Sequence, residues 1–287
     1  MSNLQSQFPV PAGHFGIAPR LKQRSVLFHA VNKSGSLALA SVLRDAYEHA
    51  GRKSEYMSRY FGIPREEEEA IRRFSEQLDR PCIWIDHNLV GLHAGFPGAA
   101  CATTLRDPVR RLISCYFWLQ THHPHQVGDL DIIQWVRAKG RHHTLSYQFA
   151  CHEGIQQKDK LRIQQLDPLE MASKAEAWFD GNVVAFGITE FFEETIMALA
   201  CELGLPSVGV WRPDTRNKNR PKWTLITEDM RLEIAAAIHY DAEFYQRQRS
   251  KFLERYQFLI KSDALSSYRS ACENARAEQE NYGAGLK

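Results

Sequence analysis

Three short stretches carry residue types suited to binding and activating an anion. Asn32-Lys33-Ser34-Gly35-Ser36 sets one lysine and two serine hydroxyls around a glycine. In a strand-to-helix loop, backbone N–H groups point at a bound anion and the helix dipole adds to them. Lys33 supplies a full positive charge there. The second stretch runs from Leu105-Arg106-Asp107-Pro108 through Arg110 and Arg111 to Ser114-Cys115-Tyr116. Arg106 can clamp a phosphate bidentately. Arg110 and Ser114 are four apart, so they share a helix face, and Ser114 can donate to the same phosphate. The third is the basic stretch Arg212 to Lys222, holding Arg212, Arg216, Lys218, Arg220 and Lys222 between Trp211 and Trp223. Each stretch also fits a bland reading: an ordinary βα turn, a capped helix with solvated arginines, an exposed basic loop. Neither GxxxxGK(S/T) nor GxGxxG occurs, so magnesium-dependent ATP hydrolysis and dinucleotide redox lack their usual signatures.

A group that takes a proton near neutral pH points to histidine. Of the 12 histidines, His87 ends an apolar run and is the first candidate for a base. His93 is the second, and His29 reads as a strand packing residue. His122, His123 and His125 surround Pro124, and His142-His143 follow, but no spacing matches a metal template. The six cysteines, at 82, 101, 115, 151, 201 and 272, form no CxxC pair and read as reduced, core-filling thiols. No metal is expected.

These residues need strand ends and helix starts to position them. Ser25 to Val31 is an apolar run long enough for a buried strand, and Leu39, Val42, Leu43 and Ala46 recur at helical spacing after the first stretch. Residues 64–79 predict a helix with Pro64 in its first turn and Glu66 to Glu69 as a solvated start. Cys82 to Ile85 predicts a second strand ending at Asp86-His87-Asn88. Ala99 to Leu105 predicts a third, running into a helix with Asp107 as N-cap and Pro108 at N1. The middle, 117–180, reads as helical and polar, with short helices at Asp129 to Lys139, Thr144 to His152 and Pro168 to Phe179. Asn182 to Ile188 predicts a fourth strand, leading to a helix that stops at Gly204. One helix is expected from Thr227 to about Gln248 and another to about 277. Strands alternating with helices predict an α/β fold, a mainly parallel sheet covered on both faces. Ligands bind outside the carboxyl ends of such strands. Asn32 to Ser36, His87, Arg106 and the turn before Glu190 all fall at strand ends.

The pair of motifs, Lys-Ser-Gly-Ser at 33–36 and Leu-Arg-Asp-Pro-Val-Arg-Arg-Leu-Ile-Ser-Cys-Tyr at 105–116, resembles the PAPS-dependent sulfotransferases. It looks closest to the branch of heparan-sulfate 2-O-sulfotransferases and bacterial carbohydrate enzymes. In that family a PK-T/S-G-G/S-TS loop binds the 5′-phosphosulfate of PAPS (3′-phosphoadenosine 5′-phosphosulfate), and RDPxxRxxSxY binds the 3′-phosphate. The resemblance implies a P-loop-like sheet, with Lys33, Ser34, Gly35 and Ser36 on the 5′ side and Arg106 and Ser114 on the 3′-phosphate. It implies Lys33 as leaving-group stabiliser and His87 as base, within a segment similar to the family's GHxxxGL, with Asp86 where glycine is usual. It implies Arg216, Lys218 and Arg220 on a late loop over the nucleotide, with no metal required. Gly187 to Glu194 and Leu225 to Tyr245 are similar to later family segments, so the likeness covers roughly residues 24–250. Asn32 departs from the usual proline, and Leu37 and Ala38 from the usual hydroxyl residues.

The chain has 287 residues, is 44 % hydrophobic and 24 % charged, and carries a net charge of +2. A sizeable core fits this composition; general disorder and a nucleic-acid coat do not. No run of about 18 apolar residues and no signal-peptide pattern occurs. This departs from the Golgi members of the resembled family, and the resemblance then implies a cytoplasmic, bacterial enzyme. One α/β domain is expected over 24–260, with an irregular lead-in at 1–23, a helical acceptor-side insertion at 117–180, and a C-terminal helix and frayed tail at 261–287. The acceptor expected from the resemblance is a carbohydrate or glycolipid hydroxyl. Two other readings stay open: a non-Walker nucleotide kinase, and a PAP- or PAPS-binding protein without catalysis, motivated by Asn32, Leu37 and Ala38.

Overall fold

The computed structural model describes residues 7–10, 17–58, 74, 76, 81–87, 89, 92–96, 98–150, 165–211 and 225–284. The strands are β1 (Gln7–Pro9), β2 (Val26–His29), β3 (Tyr56–Ser58), β4 (Ile83–Asp86), β5 (Ala100–Leu105), β6 (Val183–Ile188) and β7 (Ser207–Gly209). Five of them form one parallel sheet in the order β3-β4-β2-β5-β6. Every residue of β2, β4 and β5 is buried, as expected of central strands covered on both faces. In register, His29 stands beside Asp86 on one side and Thr103 on the other.

The described helices are α1 (Ser36–His49), α2 (Pro108–His122), α3 (Pro124–Val127), α4 (Ile132–Lys139), α5 (Leu145–Ala150), α6 (Pro168–Asn182), α7 (Phe192–Leu203), α8 (Glu228–Ala237), α9 (His239–Arg255), α10 (Gln257–Ile260) and α11 (Asp263–Ala284). The start of α2 follows the expected chemistry. Pro108 occupies N1, and the Asp107 carboxylate accepts the Arg110 backbone N–H at 2.8 Å. No helix among the described residues is long and apolar enough to cross a membrane. The helix expected at 64–79 lies outside the described residues except for Phe74 and Glu76, as do residue 151 and the basic stretch at 212–224.

Three expectations differ. The lead-in is not wholly irregular: β1 pairs antiparallel with β7, and the Arg20 guanidinium donates from Nε to the buried Glu202 carboxylate at 3.0 Å. The late helix bends to φ −127° at Ile238 and becomes α8 and α9. No proline marks this break. Ile234 and Ile238 are buried with Leu112, Ile113 and Trp135, whereas Phe244, Tyr245 and Phe252 join the main core, so one straight helix does not serve both clusters. The middle is less polar than its composition implies, because Leu145, Phe149, Met171, Trp178 and Phe179 are also in the main core. On α11, Tyr268 is fully buried, and its hydroxyl donates to the Gly209 carbonyl at 3.0 Å. The five described cysteines, at 82, 101, 115, 201 and 272, are buried and none is in a disulfide. Burial pushes the Cys101 thiol up to about 11 and Cys201 up to about 12.

Two stability predictions follow from this packing. A Cβ on Gly187 would lie 2.0 Å from the Thr195 methyl, while the Thr195 hydroxyl bonds both the N–H and the carbonyl of Ile188, at 2.8 and 2.9 Å. Gly187→Ala is expected to cost about 2–3 kcal/mol in urea unfolding, and adding Thr195→Ser, which removes the clashing methyl, is expected to recover part of it. His29 is buried against Phe149, and burial first, then the field of His87, lowers its pKa to about 3. The unfolded chain, with an ordinary histidine near 6.5, then binds more protons between pH 6.5 and 3, so stability falls as pH falls through that window. His29 alone is expected to remove about 2 kcal/mol between pH 7 and pH 5. His29→Leu should flatten the melting-temperature profile over that range; an unchanged slope would contradict the assignment.

Candidate functional site

The strand order sets the place. β2 is central, the chain leaves it through α1 toward the β3–β4 side, and β5 and β6 lie on the other side. The crevice of such a sheet opens at the carboxyl end of the central strand. The loop 30–35 stands there, with α1 beginning at Ser36.

The backbone of this loop is unusual. Lys33 has φ 65°, the one positive value for a non-glycine among the described residues, and Gly35 has φ 71°. A non-glycine residue held this way costs about 1–3 kcal/mol and persists only when its surroundings over-determine it. Here the surroundings do so at three consecutive carbonyls. The Arg111 guanidinium donates to the Asn32 carbonyl at 3.3 Å, and the Arg106 guanidinium to the Lys33 carbonyl at 2.9 Å. The Ser34 carbonyl accepts from the Thr104 hydroxyl at 3.3 Å and the Thr189 hydroxyl at 2.8 Å. Thr189 also lies 2.9 Å from the Leu105 carbonyl, so its single proton is shared. Gly35 is required twice over: its φ is positive, and a Cβ would meet Phe192 at 3.3 Å and Thr189 at 3.4 Å.

The expected anion-facing side chains divide. Lys33 is half-buried, and its ammonium lies 5.5 Å over the Trp118 ring. Trp118 is 39 % exposed and stacks on His122 at 5.2 Å. Ser34 is fully buried, and its hydroxyl has no hydrogen-bond partner among the described residues; Ser36 is 5 % exposed. A ligand arriving from solvent therefore meets Lys33 before either serine hydroxyl.

Arg106 is also half-buried, and it borders a cleft of about 570 Å³. Asp107, Val109, Arg110 and Ile113 line one side of this cleft; Glu228, Arg231, Leu232 and Ala235 of α8 line the other. The Arg231 guanidinium pairs with Glu228 at 3.3 Å, so with Asp107 counted the three guanidinium groups leave the lining one positive charge in excess, beside Val109, Ile113, Leu232 and Ala235; this suits a ligand with an anionic end and an apolar part. Ser114 is half-buried one helical turn beyond Arg110 and does not line the cleft. The start of α2 is held from behind. Both Glu190 carboxylate oxygens lie 3.2 Å from the Asp107 N–H, and the Tyr245 hydroxyl donates to Glu190 at 2.8 Å. Burial and that carboxylate push the Tyr245 phenol well up.

His87 follows β4 directly. Its backbone N–H donates to Asp86 Oδ1 at 2.6 Å, and its ring Nδ1 contacts the Ala30 carbonyl. A carbonyl only accepts, so Nδ1 carries the proton and the imidazole lone pair lies on Nε2. His93 has a different partner: its Nε2 accepts from the Trp178 indole N–H at 3.2 Å, the rings edge to face. His29 is buried and neutral at neutral pH. Arg216, Lys218, Arg220 and Trp223 lie outside the described residues; Trp211 packs on Phe192 at 4.7 Å with Arg276 over its ring.

The structure thus brings Lys33, Gly35, Ser36, Arg106 and His87 around the end of β2. Sequence reasoning missed Arg111, which is fully buried, and the roles of Trp118, Arg231, Thr104 and Thr189. Arg111 had a signal, the second arginine of a pair inside an amphipathic helix, at a position that falls on the buried stripe. Trp118 had one too, at four residues past Ser114 on α2. Among the described residues no cluster of three His, Cys, Asp or Glu side chains is placed to hold a metal.

No family model matches this sequence, and no curated protein matches it. Among solved structures, one match is a sulfotransferase from Alicyclobacillus acidocaldarius, 16 % identical over 86 % of this chain and 99 % of that chain, with a TM-score of 0.44. At this identity and score the likeness assigns neither an activity nor a residue role to this chain.

Proposed function

We propose that the chain is a sulfotransferase that moves a sulfuryl group from PAPS to a hydroxyl, on a carbohydrate or glycolipid. One observation carries the reading. The two motifs that resemble the PAPS-dependent enzymes are in contact through Arg106 on the Lys33 carbonyl, and His87 reaches the same strand end through the Ala30 carbonyl.

In this reading the loop 33–36 and the start of α1 receive the 5′-phosphosulfate, where N–H groups and the helix dipole favour negative charge. Arg106 and Ser114 hold the 3′-phosphate, and Arg110 and Arg231 add positive charge to the adjoining cleft. Arg216, Lys218 and Arg220 close over the nucleotide. The acceptor oxygen attacks sulfur in line, an O–S bond forms, and the bond from sulfur to the 5′-phosphate oxygen breaks. His87 takes the hydroxyl proton on Nε2 while Nδ1–H stays on the Ala30 carbonyl. The ring charge that develops is therefore held by an existing hydrogen bond. Negative charge grows on the leaving phosphate, and Lys33 with the loop N–H groups stabilises it. The chemistry needs no metal for charge balance at the leaving group, since Lys33 supplies a cation.

Titration calorimetry with PAP (3′-phosphoadenosine 5′-phosphate) and with ATP tests the reading. PAP is expected to bind without magnesium, and Arg106→Ala to weaken it by about 1.5–3 kcal/mol, the value of a charge-assisted bond. Preference for ATP with magnesium would instead favour the kinase. With PAPS and a panel of sugar and glycolipid acceptors, His87→Ala is expected to lower kcat by about 10²–10⁴-fold with PAP affinity unchanged. PAP binding with no turnover on any acceptor would favour a binding protein.

A further inference from the structure

Arg111 is a charged side chain with no exposed surface, set one turn into α2 directly under the loop 32–36. Its one hydrogen bond among the described residues is the 3.3 Å contact from Nη1 to the Asn32 carbonyl, and Nε and Nη2 have none. Burying a guanidinium is costly unless a counter-charge offsets it. Asp241, on α9, is that counter-charge, and it is equally buried. Its carboxylate accepts the N–H of Leu145 at 2.9 Å and the N–H and hydroxyl of Ser146, both at 2.7 Å. Burial pulls both groups toward neutrality and their mutual attraction opposes it. Cys115 and His143 also face Arg111, and they balance no charge: burial raises the thiol, while burial and then Arg111 lower the imidazole to about 4.

A neutral, well-packed residue would fill this position at less cost. What Arg111 adds is a rigid donor on the peptide that precedes Lys33, matched by Arg106 on the peptide that follows it. We propose that Arg111, with the buried Asp241 as its counter-charge rather than a bonded partner, is a positioning residue: through its bond to the Asn32 carbonyl it locks the peptide plane before Lys33 in the positive-φ conformation and so presets the anion-binding loop before a ligand arrives. The functional meaning of this strut rests on the sulfotransferase reading; the strut itself does not.

Hydrogen exchange by mass spectrometry on the unliganded full chain tests it, with PAP calorimetry alongside. In Arg111→Met/Asp241→Asn, which removes both buried charges together, amides 30–38 are expected to exchange about tenfold faster while those of 192–203 are unchanged. The same variant is expected to bind PAP about tenfold more weakly. Arg111→Lys keeps the charge opposite Asp241 and should recover part of both losses; if the double variant does not fold, a loop-confined rise of about threefold in this variant carries the test. Unchanged exchange at 30–38, or acceleration spread equally to 192–203, would overturn the proposal and leave Arg111 a packing residue. Loop-confined acceleration in a wild-type protein background that binds no PAP would support the strut and sink the sulfotransferase reading instead.

Discussion

Three consecutive carbonyls, of Asn32, Lys33 and Ser34, are each held by a side chain from another element. This constraint organises the site. A βα turn of this length has several backbone solutions, and the one adopted places a lysine in a conformation that lysine resists. Its cost falls within the range that a few hydrogen bonds to charged donors can offset. Those donors come from the end of β5, from α2 and from the turn after β6, so the loop is shaped only once β2, β5 and β6 are paired. Local sequence starts the turn; the parallel sheet finishes it.

The supporting layers repeat the device. Glu190 holds the start of α2 through the Asp107 N–H and is itself held by Tyr245 on α9. Asp241, one turn earlier on α9, faces Arg111. One helix thus supports the first turn of α2 twice, through Glu190 on the Asp107 N–H and through the buried charge of Asp241 opposite Arg111, while α8, beyond the bend at Ile238, forms the far wall of the cleft. The charges nearest the loop are unequal in kind. Lys33 lies over an exposed indole and stays on the surface, able to meet a ligand. Arg111 is sealed beneath it and acts on the backbone.

The histidines show how environment assigns roles to one residue type. His29 is sunk in the sheet and held neutral by burial. His93 accepts from the Trp178 indole on Nε2. His87, one residue beyond β4, has its proton fixed on Nδ1 by a carbonyl, which leaves Nε2 the basic nitrogen. Of these three, His87 has its ring at the end of β2 with the proton on Nδ1.

Much was legible in the residues alone. The apolar runs of β2, β4, β5 and β6, the Asp107-Pro108 start of α2 and the Gly204 stop of α7 follow from short-range periodicity and capping, which depend on neighbours in sequence. The placing of Lys33, His87 and Arg106 at strand ends followed from those strands. The order β3-β4-β2-β5-β6 did not, because pairing partners are far apart in the chain. Nor did the break at Ile238, which packing against two clusters imposes on a continuous helical pattern. The burial of Ser34 and Arg111 was likewise undecided, since a serine in a turn and an arginine in a helix usually face water. Sequence determined which groups are available; tertiary structure decided which of them reach solvent and which hold the backbone, because burial and long-range hydrogen bonds exist only once distant segments are packed together.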